Sequence, residues 1–120
     1  VTTIYADAFG FDYNSFEGMI RAYCSVPNAI NLEKSRDKRI KLCKDNNVEG
    51  LLVHTNRSCK LWSGFMYEMS RQIGEACDIP VTSFDGDQAD PRNFSEAQYD
   101  TRVQGLVEIM DANKAAKGAM

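Results

Sequence analysis

The chain has 120 residues, of which 43% are hydrophobic and 26% charged, with a formal net charge of −3. This is the make-up of one globular domain with a modest core. Basic residues are scattered, and the dense stretch from Lys34 to Lys44 alternates with acids on a predicted helix face. That pattern is solvated surface rather than a nucleic-acid footprint. No apolar run approaches the roughly 20 residues of a membrane span, so neither nucleic acid nor membrane is expected as a partner.

In chain order the pattern reads β-α-α-β-α-β-α. Thr2 to Ala6 is a predicted strand, followed by a loop from Asp7 to Tyr13 that is rich in aromatics and contains Gly10. Asn14-Ser15-Phe16-Glu17 has the form of an N-cap with an acidic first turn, opening a helix to about Tyr23. Ser25 to Leu32, with Pro27, is irregular. A second helix is expected over Glu33 to Lys44, ended by Asp45-Asn46-Asn47. Val48 to Val53 has the β-branched, Leu-rich look of a buried parallel strand.

The third helix is predicted from Lys60 to Ala76, with Leu61, Phe65, Met69, Ile73 and Ala76 as its core-facing stripe and Trp62 and Met66 beside it. Ile79 to Phe84 is a strand whose Pro80 is tolerated at its start. Asp85 to Pro91 is a polar loop. The last helix is expected from Ser95, capped by Ser95 and Gln98, with Tyr99, Val103, Leu106 and Met110 on its buried face and fraying after Asn113.

Strands alternating with helices imply an α/β fold with parallel pairing and helices on both faces. The strand-end loops at Asp7, Asn56 and Asp85 then open on one edge of the sheet, where ligands collect in such folds. The sequence begins in a strand-like segment with neither signal peptide nor initiating methionine. It is therefore expected to be a single α/β domain, residues 1–120, belonging to a longer subunit. The tripeptides Asn56-Arg57-Ser58 and Asn93-Phe94-Ser95 have glycosylation spelling, but without a secretory signal they carry little weight.

The polar run His54-Thr55-Asn56-Arg57-Ser58-Cys59 delivers a thiol to a helix N-terminus. Backbone N–H groups and the helix dipole there favour negative charge, the form in which sulfur binds metal or attacks an electrophile. The four cysteines lack CxxC spacing, and with one histidine they do not spell a zinc site; they are expected to be reduced, in the cytoplasm. Cys59 and Cys77 flank the third helix, which at about 1.5 Å per residue is far too long for both to share a small site. Cys24 and Cys43 are expected as small buried hydrophobes.

His54 is a conceivable base, yet a lone histidine at a strand end is more often hydrogen-bonded structure. Arg57 and Lys60 either hold a phosphate or carboxylate at the helix N-terminus or make surface ion pairs. Asp85, Asp87 and Asp90 are oxygen ligands for a cation or, the preferred reading, turn and cap residues. Residue chemistry alone leaves an exposed cysteine without a partner base, and too few thiols for a cluster.

The runs HTNRSCKLWSGFMYEMSRQIGEACDIP and FDGDQADPRNFSEAQYDTRVQGLVEIM, with YADAFGF upstream, resemble the carboxy-terminal part of the (R)-2-hydroxyacyl-CoA dehydratases. The closer likeness is to their α subunits, which act on 2-hydroxyglutaryl-, phenyllactyl- or 2-hydroxyisocaproyl-CoA. Benzoyl-CoA reductase subunits are more distant.

The resemblance implies a three-layer, flavodoxin-like parallel sheet whose first strand precedes Val1. It also implies a heterodimer with a β subunit, an ATP-hydrolysing activator that injects one electron, and a cysteine-held 4Fe–4S cluster. The electron makes a ketyl radical of the acyl-CoA thioester, water is eliminated, and an enoyl-CoA results. Within the NRSC motif the cysteine is a cluster ligand, which maps onto Cys59, with Asn56, Arg57 and Ser58 as its surroundings. The remaining cluster ligands are then expected upstream, and the chain by itself is expected to be inactive. Two other readings remain: a benzoyl-CoA-reductase-type subunit, and a non-catalytic α/β module binding a ligand or a partner subunit.

Overall fold

The computed structural model describes residues 14–27 and 30–118. The expected strand Thr2 to Ala6 and the aromatic loop after it lie outside the described residues. The chain divides into two compact units, Val1–Asn46 and Asn47–Met120.

In the first unit, helix α1 (Phe16–Cys24) starts where the sequence predicts: the Ser15 hydroxyl accepts the Gly18 N–H at 2.9 Å. Helix α2 (Leu32–Asp45) starts in the same way, with Asn31 Oδ1 accepting the Lys34 N–H at 3.0 Å. The intervening segment is tied to α2 by Lys38 Nζ, which donates to the Ser25 carbonyl at 2.6 Å. Asn46 closes α2 by donating its side-chain amide to the Leu42 carbonyl, and Asn47 follows in the left-handed region at φ 50°. Asparagine tolerates that conformation because its short side chain can bond locally.

The second unit carries the sheet. Strands β1 (Leu51–Asn56) and β2 (Val81–Gly86) pair in parallel, from Leu51 opposite Val81 to Asn56 opposite Gly86. Between them runs helix α3 (Lys60–Cys77). A 3-10 turn (Pro91–Asn93) and helix α4 (Glu96–Gly118) follow β2.

Both strands sit two or three residues later than the sequence pattern suggests. The apolar run Val48 to Val53 marks what is hydrophobic, but the ladder is set by backbone partners. It begins where the Leu51 N–H reaches the Pro80 carbonyl at 2.9 Å and continues through polar Thr55, Asn56 and Asp85.

The two helices take opposite faces of this pair. Side chains alternate along a strand, and Val81 belongs to the face that meets α3: a Cβ added at Gly74 would lie 2.5 Å from Val81 Cγ2 and 3.1 Å from the Ile79 carbonyl. On the other face Phe84 meets Tyr99 of α4 edge-on at 4.9 Å, and a Cβ at Gly50 would meet Met110 and Leu106. The result is a helix–sheet–helix layering around β1 and β2, the α/β architecture expected.

Among the described residues the buried hydrophobic side chains of the second unit are Val53, Met69, Ile73 and Leu106, each contributing about 1.5–3 kcal/mol through burial. The stripe predicted for α3 holds at its middle and fails at its ends. Leu61 is 85% exposed and Ala76 is exposed, while Ser70 and Gly74 are buried. Eighteen helical residues span about 27 Å, against about 20 Å for a six-residue strand. The helix is therefore longer than the strands it covers, and the small residues Ser70 and Gly74 lie on its buried side, Gly74 against Val81 at the start of β2.

The tail of α4 is helical to Gly118 rather than frayed after Asn113. Lys114 pairs with Glu49 at 2.7 Å and Lys117 with Asp78 at 3.7 Å.

Gly74→Ala is expected to lower stability by about 1–3 kcal/mol through overpacking. Adding Val81→Ala should restore part of that loss, so the two costs will be non-additive. Urea unfolding of the single and double variants measures both effects.

Candidate functional site at the strand ends

Because Asn56 pairs with Gly86, the two strands end level and their loops leave side by side. The Arg57 N–H continues the ladder to the Gly86 carbonyl at 2.9 Å. A tight turn follows, in which the Cys59 N–H donates to the Asn56 carbonyl at 3.0 Å.

Cys59 is the N-cap residue of α3, half-buried, with its side chain making no capping hydrogen bond. Its carbonyl accepts both the N–H and the hydroxyl of Ser63 at 2.9 Å. The backbone at Cys59 is thus held on both sides, while the thiol is not spent on the helix end. The positive end of the α3 dipole and its first-turn N–H groups face whatever occupies that position.

The neighbouring residues of the motif are engaged with the loop after β2. The Ser58 hydroxyl donates to Asp87 Oδ2. Asp87 also accepts the Ala89 N–H at 2.9 Å and the Asn93 side-chain amide at 3.0 Å. Together, led by the Ser58 hydroxyl and then the Ala89 N–H, these donors hold the Asp87 carboxyl below the usual carboxylate range. Asn56 Oδ1 receives the Gln88 N–H at 3.4 Å, and Arg57 Nη2 lies 3.4 Å from Asp85 Oδ2.

Asp90 is occupied by the Arg92 guanidinium and the Arg92 N–H, which lower its pKa as well. The aspartates therefore serve as turn, cap and ion-pair residues. Among the described residues no group of three or more His, Cys, Asp or Glu side chains is arranged to hold a metal ion. Arg57 is ion-paired with Asp85, and Lys60 is exposed at the start of α3.

His54 stacks on Phe84, with ring centroids 5.1 Å apart, and Phe84 in turn meets Tyr99. A Cβ at Gly86 would lie 2.6 Å from His54 Nε2, so only glycine leaves room for the imidazole there. The ring belongs to the α4 face, whereas Cys59 opens the helix covering the opposite face. His54 thus packs by ring stacking on this face, where the sequence reading favoured a hydrogen-bonded structural role.

Cys77 is the last residue of α3, at the far end from Cys59. Cys43 is buried as expected; Cys24 is exposed, contrary to expectation, because α1 buries none of its residues. No disulfide joins Cys24, Cys43, Cys59 or Cys77.

Two partners of the motif are not marked by its own pattern: Asp87, whose sequence context is that of a turn or cation residue, and Asn93, which falls in a glycosylation tripeptide. The available signal was adjacency, since loops at the carboxyl ends of paired parallel strands must meet.

The family model described as 2-hydroxyglutaryl-CoA dehydratase, D-component, matches residues 4–110. The chain belongs to this family. It is 56% identical over 115 residues to the alpha subunit of (R)-2-hydroxyglutaryl-CoA dehydratase from Acidaminococcus fermentans, an alignment covering 96% of this chain and 24% of that protein. With the (R)-phenyllactyl-CoA dehydratase alpha subunit of Clostridium sporogenes it shares 55% over 115 residues, 96% of this chain and 28% of that protein. A benzoyl-CoA reductase subunit from Thauera aromatica is 26% identical over 113 residues, 93% of this chain and 26% of that protein. The chain thus spans about a quarter of the length of the relatives it matches. Among the described residues no helix is long and apolar enough to cross a membrane.

A depressed carboxylate pKa stabilises the fold above the unfolded value near 4, and that contribution is lost as pH falls through the folded value. Asp87→Asn removes the titrating group. Urea midpoints between pH 7 and 3 should therefore fall less steeply for the variant than for the wild type. Parallel acid limbs would contradict the contribution assigned to Asp87.

Proposed function

We propose that this chain is part of the α subunit of an iron–sulfur (R)-2-hydroxyacyl-CoA dehydratase, a hydro-lyase converting a 2-hydroxyacyl-CoA to an enoyl-CoA. The observation that carries this reading is the family match over residues 4–110, together with a cysteine set at a strand-to-helix junction with its thiol unspent. In this reading Cys59 supplies one thiolate to a 4Fe–4S cluster. The donor chemistry fits: thiolate sulfur is the standard ligand of such clusters, and N–H groups near the sulfur tune their potential.

When bound, the cluster supplies the single electron that activates the acyl-CoA thioester toward loss of its 2-hydroxyl. The chain's own part is structural and electrostatic. Asn56, Arg57 and Ser58 hold the loop through β2-side partners, and α3 aims its positive end at the thiolate. Cys77, about 27 Å along α3, is not a second ligand of the same cluster; the other ligands come from elsewhere in the complete protein.

The reading includes a β subunit, an ATP-dependent activator protein and a cytoplasmic location, where thiols stay reduced. The flavodoxin-like sheet, larger than the pair β1–β2, belongs to the same proposal. A benzoyl-CoA-reductase-type role has weaker support, with 26% identity against 42–56% for four dehydratase alpha subunits.

In the complete α subunit, Cys59→Ala is expected to lower iron and acid-labile sulfide content. It should also cut dehydration by at least about 100-fold when assayed with the β subunit, activator, ATP and reductant. Full cluster content and turnover in that variant would overturn the proposal.

A further inference from the structure

We infer that Asp87 is a positioning residue for Cys59, acting through Ser58, and that the loop after β2 thereby sets the environment of the proposed cluster ligand. The inference rests on the cluster reading above and extends it to a residue in a different loop.

Asp87 and Ser58 are 29 residues apart in sequence, yet their side chains are hydrogen-bonded. Ser58 immediately precedes Cys59, and its hydroxyl ties the turn to the β2 side. Asp87 is itself fixed by the Ala89 N–H and the Asn93 side-chain amide. Asn93 sits in the 3-10 turn that Asp90 caps through the Arg92 N–H at 3.0 Å. The carboxylate is therefore a rigid acceptor, held by groups that do not depend on Ser58.

On the other side of the turn, the Gln88 N–H approaches Asn56 Oδ1 at 3.4 Å, so consecutive residues of one loop grip both ends of the Asn56–Ser58 turn. Cys59, with its carbonyl bonded to Ser63, has its backbone fixed from the helix side as well. Removing the Asp87 carboxylate releases the Ser58 end of the turn while leaving the thiol, the helix and the strand ladder in place. Outer residues that orient a metal ligand typically account for 10–100-fold in metal affinity or activity.

The test uses the complete, cluster-loaded α subunit. Asp87→Ala and Ser58→Ala should each speed cluster loss to bathophenanthroline disulfonate about tenfold and alter the electron paramagnetic resonance line shape of the reduced cluster. The double variant should be no more labile than either single variant, as expected for two groups acting through one bond. Ser58→Ala deletes one exposed hydroxyl and guards against misfolding in the aspartate variant. Wild-type lability and line shape in both single variants, beside a Cys59→Ala protein that has lost its cluster, would overturn the inference while leaving the cluster reading intact. A Cys59→Ala protein that keeps its cluster would sink both.

Discussion

The parallel register between β1 and β2 is the constraint on which the rest depends. Setting Asn56 opposite Gly86 ends both strands at one level, so that two loops separated by the whole of α3 emerge together. A shift of one residue would turn Val53 from the α3 face to the α4 face and move His54 off Phe84. Glycine permits close approach at two places in this arrangement. At Gly74 the helix lies against Val81 with no space for a methyl group, and at Gly86 the strand makes room for the His54 ring. The site inherits its precision from these contacts, because no hydrogen bond within the Asn56–Cys59 turn fixes where the β2 loop must be.

Features determined locally were legible in the sequence. Ser15 caps its helix as its side chain and spacing require, and Lys60 begins α3 where the polar run ends. Features determined by distant partners were not. Thr55, Asn56 and Asp85 look like loop residues but lie in strands, since a backbone ladder imposes no requirement on side-chain polarity at a sheet's end. Leu61 fits a helical stripe by spacing, yet nothing in spacing reveals that α3 outruns the sheet it covers. The terminal Ala-Lys-Gly stretch has low apolar content, but Lys114 and Lys117 find Glu49 and Asp78, which only the fold brings near.

The candidate site divides along the same line. Cys59 was recognisable because a thiol between a strand and a helix is a local pattern, and the isolation of Cys77 followed from helix length alone. The task proposed for that thiol is not in the residue chemistry; it rests on likeness to a family, and the match over residues 4–110 bears out the family alone. The link from Ser58 to Asp87 was invisible because it joins residues 29 apart that share no motif. The aspartate run was weighed as a cation site or a turn, and its turn role is what makes the long-range contact rigid.

A carboxylate beside a proposed thiolate ligand would seem at odds with electrostatics, since like charges disfavour one another. The hydrogen bonds resolve this. An ionised carboxyl has about four lone-pair sites, and at Asp87 three are directed at Ser58, Ala89 and Asn93. These donors stabilise its ionised form, as the lowered pKa reflects. Few lone pairs are left to compete for a cation, and Asp87 becomes a support rather than a ligand. Asp85 is paired with Arg57 and Asp90 with Arg92. The thiol of Cys59 is left as the soft donor at this edge, facing the positive end of a helix whose cap it does not close. The oxygen donors at this edge are thus engaged with hydrogen-bond or ion-pair partners, and a sulfur donor suits the soft metal of the proposed site better than a hard cation.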